Sequence, residues 1–455
     1  MKLFGTDGIR DIVGGEKMNV EIATRFGKAM ALFCRKRNLP AKIVIGKDTR
    51  ESGPMLEEAV AAGIISAGAE ALLAGVIPTP GVSFLVGEEK AGAGIVVSAS
   101  HNPYEYNGLK PFKSDGTKFS DEEEAEIEKY ISENKASENR KEVPGTKKVL
   151  AEAERKYVKF LSDNFSSISE DDNISQKPFL SNLKIVLDCS NGATSEVAPV
   201  VFGENVKEIK LLNARHNGRN INYRCGSQYT DNLSETVLDK KADLGLAFDG
   251  DGDRVIAVDE KGNTLTGDQM IYIIAKFLKE KGQLKNDLVV TTVMSNLGFI
   301  SALKKLGIGH FATAVGDRPV FFEMRKQGAV LGGEESGHII YTNFHSTGDG
   351  IVGGLMLLAA MSYFQKTLSE LIGEITLFPK LLVNVEVKSK PDLETIPEIM
   401  KVIKEVESEL GEDGRVLVRY SGTENLCRVM VEGRSEKEID DHAGRIAKII
   451  REHLG

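Results

Sequence analysis

The chain holds only four cysteines, Cys34, Cys189, Cys225 and Cys427, and no two of them form a CxxC pair. That scatter argues against a disulfide framework or a zinc site and fits a reducing compartment, so the cytoplasm is the expected location. Basic charge is not in excess. The formal net charge is −9 and no basic stripe is evident, so a nucleic-acid binder is not expected. Long apolar runs are scarce as well. The N-terminus, Met1 to Asp7, has no apolar signal core. The most apolar stretch, Ile351 to Phe364, is too short to span a bilayer and contains two glycines. It reads as a buried helix that begins after Asp349, and no membrane partner is expected.

What is present is an ordinary globular composition over 455 residues, long enough for several domains. Short β-rich runs alternate with longer helical patterns, which favours parallel α/β layers. Three β-rich runs, Lys42–Gly46, Lys184–Asp188 and Leu288–Thr292, share one plan, each leading through a polar turn into a helical pattern. Some tens of residues further on, each unit has an apolar run that ends in a polar loop. The loops are Ser98–Pro103, Asp249–Arg254 and Gly332–His338. An α/β unit used three times explains this, with the functional loops gathered where strands end. A polar stretch at Ser132–Arg140, near Pro144-Gly145, marks a first boundary. After about Leu377 the pattern changes to strand, helix from about Leu393, two strands and a closing helix. The expected fold class is α/β: three similar α/β domains with mixed sheets, plus a smaller α+β C-terminal domain, around a central cleft. The expected segments are 1–150, 151–255, 256–372 and 373–455.

The run Asp249-Gly-Asp-Gly-Asp-Arg254 packs three carboxylates together, and a hard cation is the usual remedy for their repulsion. Glycines allow a tight turn, and Arg254 offers a planar fork for phosphate oxygens. Two other readings compete: a plain Asp-Gly hairpin turn, and an EF-hand with Glu260 at its last position. The EF-hand is disfavoured because Arg254 occupies its glycine position and the flanks read as strands. Ser100, after the apolar run Ala93–Val97, could be a nucleophile or a phosphate carrier, or simply part of a capping turn. No G-x-S-x-G elbow surrounds it, so a Ser-His hydrolase lacks support from Ser100 and His101 alone. A serine loop together with a three-aspartate loop is what phosphoryl transfer through a phosphoserine needs, with Mg²⁺ between carboxylates and phosphate. Arg10, Lys110 and Arg254 are the candidate basic residues. Glu334, Ser336 and His338 offer groups that could hold sugar hydroxyls, or form a charged surface loop. Arg419, Ser421, Gly422 and Thr423 have the parts of a phosphate nest, compatible with a hairpin turn.

Taken in order, Gly5–Arg10, SASHNP, DGDGDR, GEESGH and RYSGTEN resemble the motifs of the α-D-phosphohexomutase superfamily, essentially end to end. The resemblance implies an isomerase that moves a phosphoryl group between O6 and O1 of a hexose phosphate. It implies that phosphorylated Ser100 carries the group and that a hexose bisphosphate is the intermediate. It further implies that Asp249, Asp251 and Asp253, with an oxygen on Ser100, bind one Mg²⁺. Glu334, Ser336 and His338 would contact the sugar, and Arg419, Ser421, Gly422, Thr423 and Arg428 its distal phosphate. Arg10, His101, Lys110 and Arg254 would be catalytic. The expected partners are hexose phosphates and bisphosphates, with a homodimer as a further expectation. Ile221-Asn222, Cys225–Ser227, Thr292–Gly298, Val315–Arg318 and Ser346–Gly350 resemble the glucosamine-phosphate branch. Glu335 and Asn425 depart from that branch, which usually has glutamine and proline there, so glucose and mannose phosphates stay open as alternatives.

Overall fold

The structure, a computed structural model, describes residues 2–5, 7–133, 143–169, 177–411, 414–421 and 425–455. Most of the polar stretch expected to hold the first boundary lies outside the described residues, as do Gly422 and Thr423.

The first sheet contains β1 (Ile9–Ile12), β2 (Lys42–Lys47), β3 (Glu70–Val76), β4 (Ala93–Val97), β5 (Tyr106–Lys113) and β6 (Lys147–Val149), in the order β1-β5-β4-β2-β3-β6. The second contains β7 (Lys184–Asp188), β8 (Glu208–Leu212), β9 (Leu244–Phe248) and β10 (Val255–Asp259), in the order β10-β9-β7-β8. The third contains β11 (Leu288–Thr292), β12 (Gly309–Thr313), β13 (Leu331–Gly333) and β14 (Ile339–Tyr341), in the order β12-β11-β13-β14. The fourth is an antiparallel sheet of β15 (Lys380–Glu386), β16 (Arg415–Tyr420) and β17 (Leu426–Glu432), with β17 central.

The three α/β sheets are mixed in the same way. β2 runs parallel to β3 and β4, β7 to β8 and β9, and β11 to β12 and β13. Each then gains an antiparallel strand: β5 against β4, β10 against β9, β14 against β13. The reason is connection length. A parallel return needs a crossover, whereas a short loop can only turn the chain straight back. The inner strands β4 and β9 are buried along their whole length and read as unbroken apolar runs, as strands covered on both faces do.

Each of the three loops singled out in the sequence therefore joins an antiparallel pair. DGDGDR is a hairpin loop between β9 and β10. Its strand flanks exclude the EF-hand, which needs helices there. The second sheet runs on to Asp259, past the expected break at 255, because both strands of that hairpin share one sheet.

The apolar stretch forms a helix at Gly350–Phe364 and is buried over nearly its full length, as expected. Asp349 caps it, accepting from Ile351 N at 2.9 Å and Val352 N at 3.1 Å. The C-terminal helix expected from Leu393 begins at Pro397, because Leu393–Thr395 form a separate 3₁₀ turn. Among the described residues no helix is long and apolar enough to cross a membrane. The chain divides into two compact units, Met1–Met294 with Ile308–Gly373, and Ser295–Gly307 with Glu374–Gly455.

Candidate active site

Ser100 sits just after β4 with φ +52°, a left-handed conformation uncommon outside glycine. Several groups hold it there. Its N–H donates to Ser98 Oγ at 2.9 Å, and that hydroxyl donates to Asp48 Oδ2 at 2.5 Å. Its carbonyl accepts from Arg50 Nη2 and from Asn222 Nδ2, both at 2.8 Å. The buried Ser100 hydroxyl donates to Asp249 Oδ2 at 2.6 Å, and His101 Nδ1 lies 3.4 Å from the same hydroxyl oxygen. The serine and aspartate loops are thus in direct contact.

Asp249, Asp251 and Asp253 are buried, and one carboxylate oxygen from each lies within 4.8 Å of the others. Thr79 Oγ1 donates to Asp251 Oδ2 at 2.6 Å. Lys110, projecting from β5, places Nζ 2.7 Å from Asp251 Oδ2, 3.4 Å from Asp253 Oδ2 and 3.0 Å from Asp7 Oδ2. It is 1% exposed, so it is no ordinary solvated lysine. Lys118 pairs with Asp7 and reaches Asp317 Oδ2 at 2.7 Å. Arg10 donates to Asn102 Oδ1 at 2.9 Å, and Arg254 Nε lies 3.8 Å from Asp253 Oδ1.

The electrostatics arise from burial and neighbours. Burial pushes the Asp249 carboxyl well above the usual range, and repulsion from Asp253 and Asp251 adds to it. Asp253 goes the other way: Lys110, His338 and Arg254 outweigh its burial and hold it well below. Burial opposes the charge on Lys110, yet Asp251, Asp7 and Asp253 together raise it well above an ordinary lysine. His101 drops to about 4 through burial and the nearby Arg254 and Arg10. His338 rises despite burial, chiefly through Asp253 at 3.8 Å and then Asp317.

The loop between β13 and β14 is closed by Glu334 N donating to His338 O at 2.9 Å and Gly337 N donating to Glu334 O at 3.0 Å. Glu334 Oε1 accepts from Gly316 N at 3.0 Å, while Ser336 is exposed. The Glu334 charge is felt by both Arg254 and His338. His338 fits only because position 348 is glycine: a Cβ there would lie 2.2 Å from its Nε2.

In the second unit, Arg419 on β16 stands directly opposite Arg428 on β17. Burial and Arg428 together lower the Arg419 pKa. Like charges directly across a strand pair are unfavourable. Beside them, Ser421 N donates to Leu426 O, and Lys390 Nζ donates to Ser421 O, each at 2.8 Å.

Asp7, Asp48, Arg50, Thr79, Lys118, Asn222 and Asp317 escaped assignment from the sequence. Five of them had a signal: Asp48, Arg50 and Asn222 lie in polar turns already marked as repeated or distinctive, and Asp7 and Asp317 lie in the Gly5–Arg10 and Val315–Arg318 motifs. Thr79 and Lys118 had none, since each meets its partners, Asp251 for the first and Asp7 and Asp317 for the second, far along the chain. The cluster's donors are all oxygen, as a hard dication requires. Asp251 Oδ1 and Asp253 Oδ1 are buried without a hydrogen-bond partner, so the residues fit a divalent metal.

A mixed α/β fold in which a buried serine touches a three-aspartate hairpin defines a class, the phosphohexose mutases, and family matches cover the chain. The phosphoglucomutase/phosphomannomutase α/β/α domains I, II and III match residues 1–138, 155–262 and 266–378, and the C-terminal domain matches 382–449. The chain belongs to this family. It is 48% identical over 456 residues to the phosphoglucosamine mutase of Syntrophus aciditrophicus, covering 100% of both chains. It is 49% identical over 465 residues to that of Desulforapulum autotrophicum, covering 99% of both. Its fold resembles Aspergillus fumigatus N-acetylphosphoglucosamine mutase, solved with GlcNAc-6P and magnesium, with a TM-score of 0.68 at 18% identity over 100% of this chain and 96% of that one.

Proposed function

We propose that the protein is a phosphoglucosamine mutase that interconverts glucosamine 6-phosphate and glucosamine 1-phosphate through phosphorylated Ser100 and a bisphosphorylated sugar. The observation that carries this reading is the 2.6 Å contact from Ser100 Oγ to Asp249 within the three-aspartate cluster. The full-length relatives named phosphoglucosamine mutase favour glucosamine over glucose or mannose phosphates.

In the forward step a sugar hydroxyl attacks phosphorus on Ser100. The P–Oγ bond breaks, the new P–O bond forms, the hydroxyl loses its proton and Oγ gains one. The second half runs in reverse from the other phosphate. Asp249, Asp251 and Asp253, with an oxygen on Ser100, would hold Mg²⁺, which supplies positive charge against the transferring phosphoryl oxygens. Lys110 and Arg254 stay charged and add to that field. His101, 3.4 Å from Oγ, would take the Ser100 proton when Oγ attacks phosphorus and return it when Oγ leaves. Glu334, Ser336 and His338 would bind the sugar, while Arg419, Ser421, Gly422, Thr423 and Arg428 would grip the phosphate that is not reacting. Arg10, which donates to Asn102, would bind near the serine loop. A cytoplasmic setting, consistent with four free buried cysteines, and a homodimer complete the proposal. So does a division into four segments, 1–150, 151–255, 256–372 and 373–455.

Intact-protein mass spectrometry should find one phosphoryl group on the wild type and none on Ser100→Ala, whose turnover should vanish. An active, unphosphorylated Ser100→Ala would refute the mechanism. For the sugar, kcat/KM should be highest with glucosamine phosphate; equal or better turnover of glucose phosphate would overturn that assignment.

A further inference from the structure

The segment Ile221–Ser227 resembles one branch of the family, yet the phosphoryl transfer itself gives it no part. Its Asn222 has φ +57°, and its side-chain amide donates to two backbone carbonyls of the serine loop: Ser100 O at 2.8 Å and Asn102 O at 3.0 Å. Arg50 Nη2 donates to the same two carbonyls, each at 2.8 Å. A carbonyl oxygen has two lone pairs, and each of these nitrogens carries two N–H groups. The four hydrogen bonds therefore saturate both oxygens. Two facing carbonyls also fix the amide orientation, since only Nδ2 can serve both.

The two donors differ in what they tie together. Arg50 comes just after β2 and also donates to Pro103 O and Tyr106 O, so it fixes the loop to its own sheet. It is 1% exposed and paired with Asp48 at 2.9 Å. Asn222 belongs to the part of the chain that carries the aspartates. Its N–H donates to Ser190 O at 2.9 Å, and farther along the loop Gly226 N donates to the buried Asp188 Oδ2 at 3.1 Å. Gly250, inside DGDGDR, meets the same point: a Cβ there would lie 2.7 Å from both Asn222 Nδ2 and Ser100 O. The serine loop, the aspartate loop and Asn222 thus converge within one side chain's width.

We propose that Asn222 is a positioning residue for phosphoryl transfer: its amide locks the serine loop against the aspartate hairpin and so sets where Ser100 Oγ stands relative to Asp249. This rests on the mutase reading. The strained φ at Ser100 is what aims Oγ at the cluster, and the carbonyl beside it is the handle by which that conformation is held. Arg50 alone can hold the loop to its own sheet but cannot register it against the second one.

Two variants test this. Asn222→Gly removes the amide and tolerates φ > 0 without strain. Asn222→Asp keeps the shape but sets a carboxylate against two carbonyls. Both should fold, which melting temperature checks. A displacement of Oγ on the order of 1 Å should lower kcat roughly 10- to 100-fold, while KM for the sugar phosphate stays within about threefold, since sugar contacts are untouched. Hydrogen–deuterium exchange of peptides covering residues 98–106 should speed up in both. Unchanged kcat, or unchanged exchange, would overturn the proposal, as would kcat and KM moving together with a collapse in melting temperature. If the wild type itself showed no mutase activity, the functional assignment would fall, and the exchange result alone would decide whether Asn222 holds the serine loop.

Discussion

At the scale of single residues, the site is a set of buried charges that make sense only together. Lys110 is the centre of one such set, meeting Asp7, Asp251 and Asp253. Replacing it with methionine leaves buried carboxylates without their counter-charge. Lys110→Met is expected to lose about 3–5 kcal/mol of stability in urea unfolding, as removing one partner of a buried ion pair does. A loss below the resolution of the experiment would mean that water, rather than Lys110, compensates these carboxylates. Gly250 is constrained from the other direction, by space. Gly250→Ala would force a methyl to 2.7 Å from the backbone oxygen of Ser100. The expected cost is about 1–3 kcal/mol, with a fall in kcat because the serine loop must give way.

At the scale of elements, the buried helix Gly350–Phe364 depends on its cap. Asp349 accepts from two helix N–H groups and from Tyr157 OH at 2.5 Å. Burial is the largest influence on it and raises its pKa to about 6, against the opposing pull of those hydrogen bonds. A carboxyl raised on folding binds its proton more tightly when folded. Its contribution is therefore full below the ordinary aspartate value of about 3.9 and is lost as pH rises through about 6. Asparagine keeps the cap without the charge. The stability of wild type relative to Asp349→Asn should thus decline between pH 4 and pH 6 and level off above, as read by chemical denaturation at several pH values. A pH-independent difference would contradict the shift. The hairpins show the same economy: β4–β5, β9–β10 and β13–β14 each use a short loop both to turn the chain and to present polar groups.

At the scale of the molecule, the cluster in the first unit draws Lys110 from the first sheet, the aspartates from the second and His338 from the third. A dication that binds it binds only the folded arrangement, so Mg²⁺ should raise the melting temperature; saturation at 100 times Kd corresponds to about 2.7 kcal/mol. Asp251→Asn should abolish the rise, and an equal rise in that variant would place the ion elsewhere. Much of this was legible in the sequence. Strand-turn-helix repetition pointed to three α/β units, because alternating apolar runs and turn residues act locally. DGDGDR and the serine loop stood out because their chemistry is packed into adjacent residues. Thr79 and Lys118 did not, because each is an ordinary polar residue whose role comes from partners far along the chain; Arg50 and Asn222 stood in marked turns, yet only folding showed that they grip the serine loop. That β10 shares a sheet with β9 was hidden for a related reason, because only pairing shows it. The sequence by itself determined which groups this protein can bring to a phosphoryl group. The tertiary structure alone decided that Ser100 faces Asp249, and which buried charges hold their protons, since distance and burial are set by packing and not by spacing along the chain.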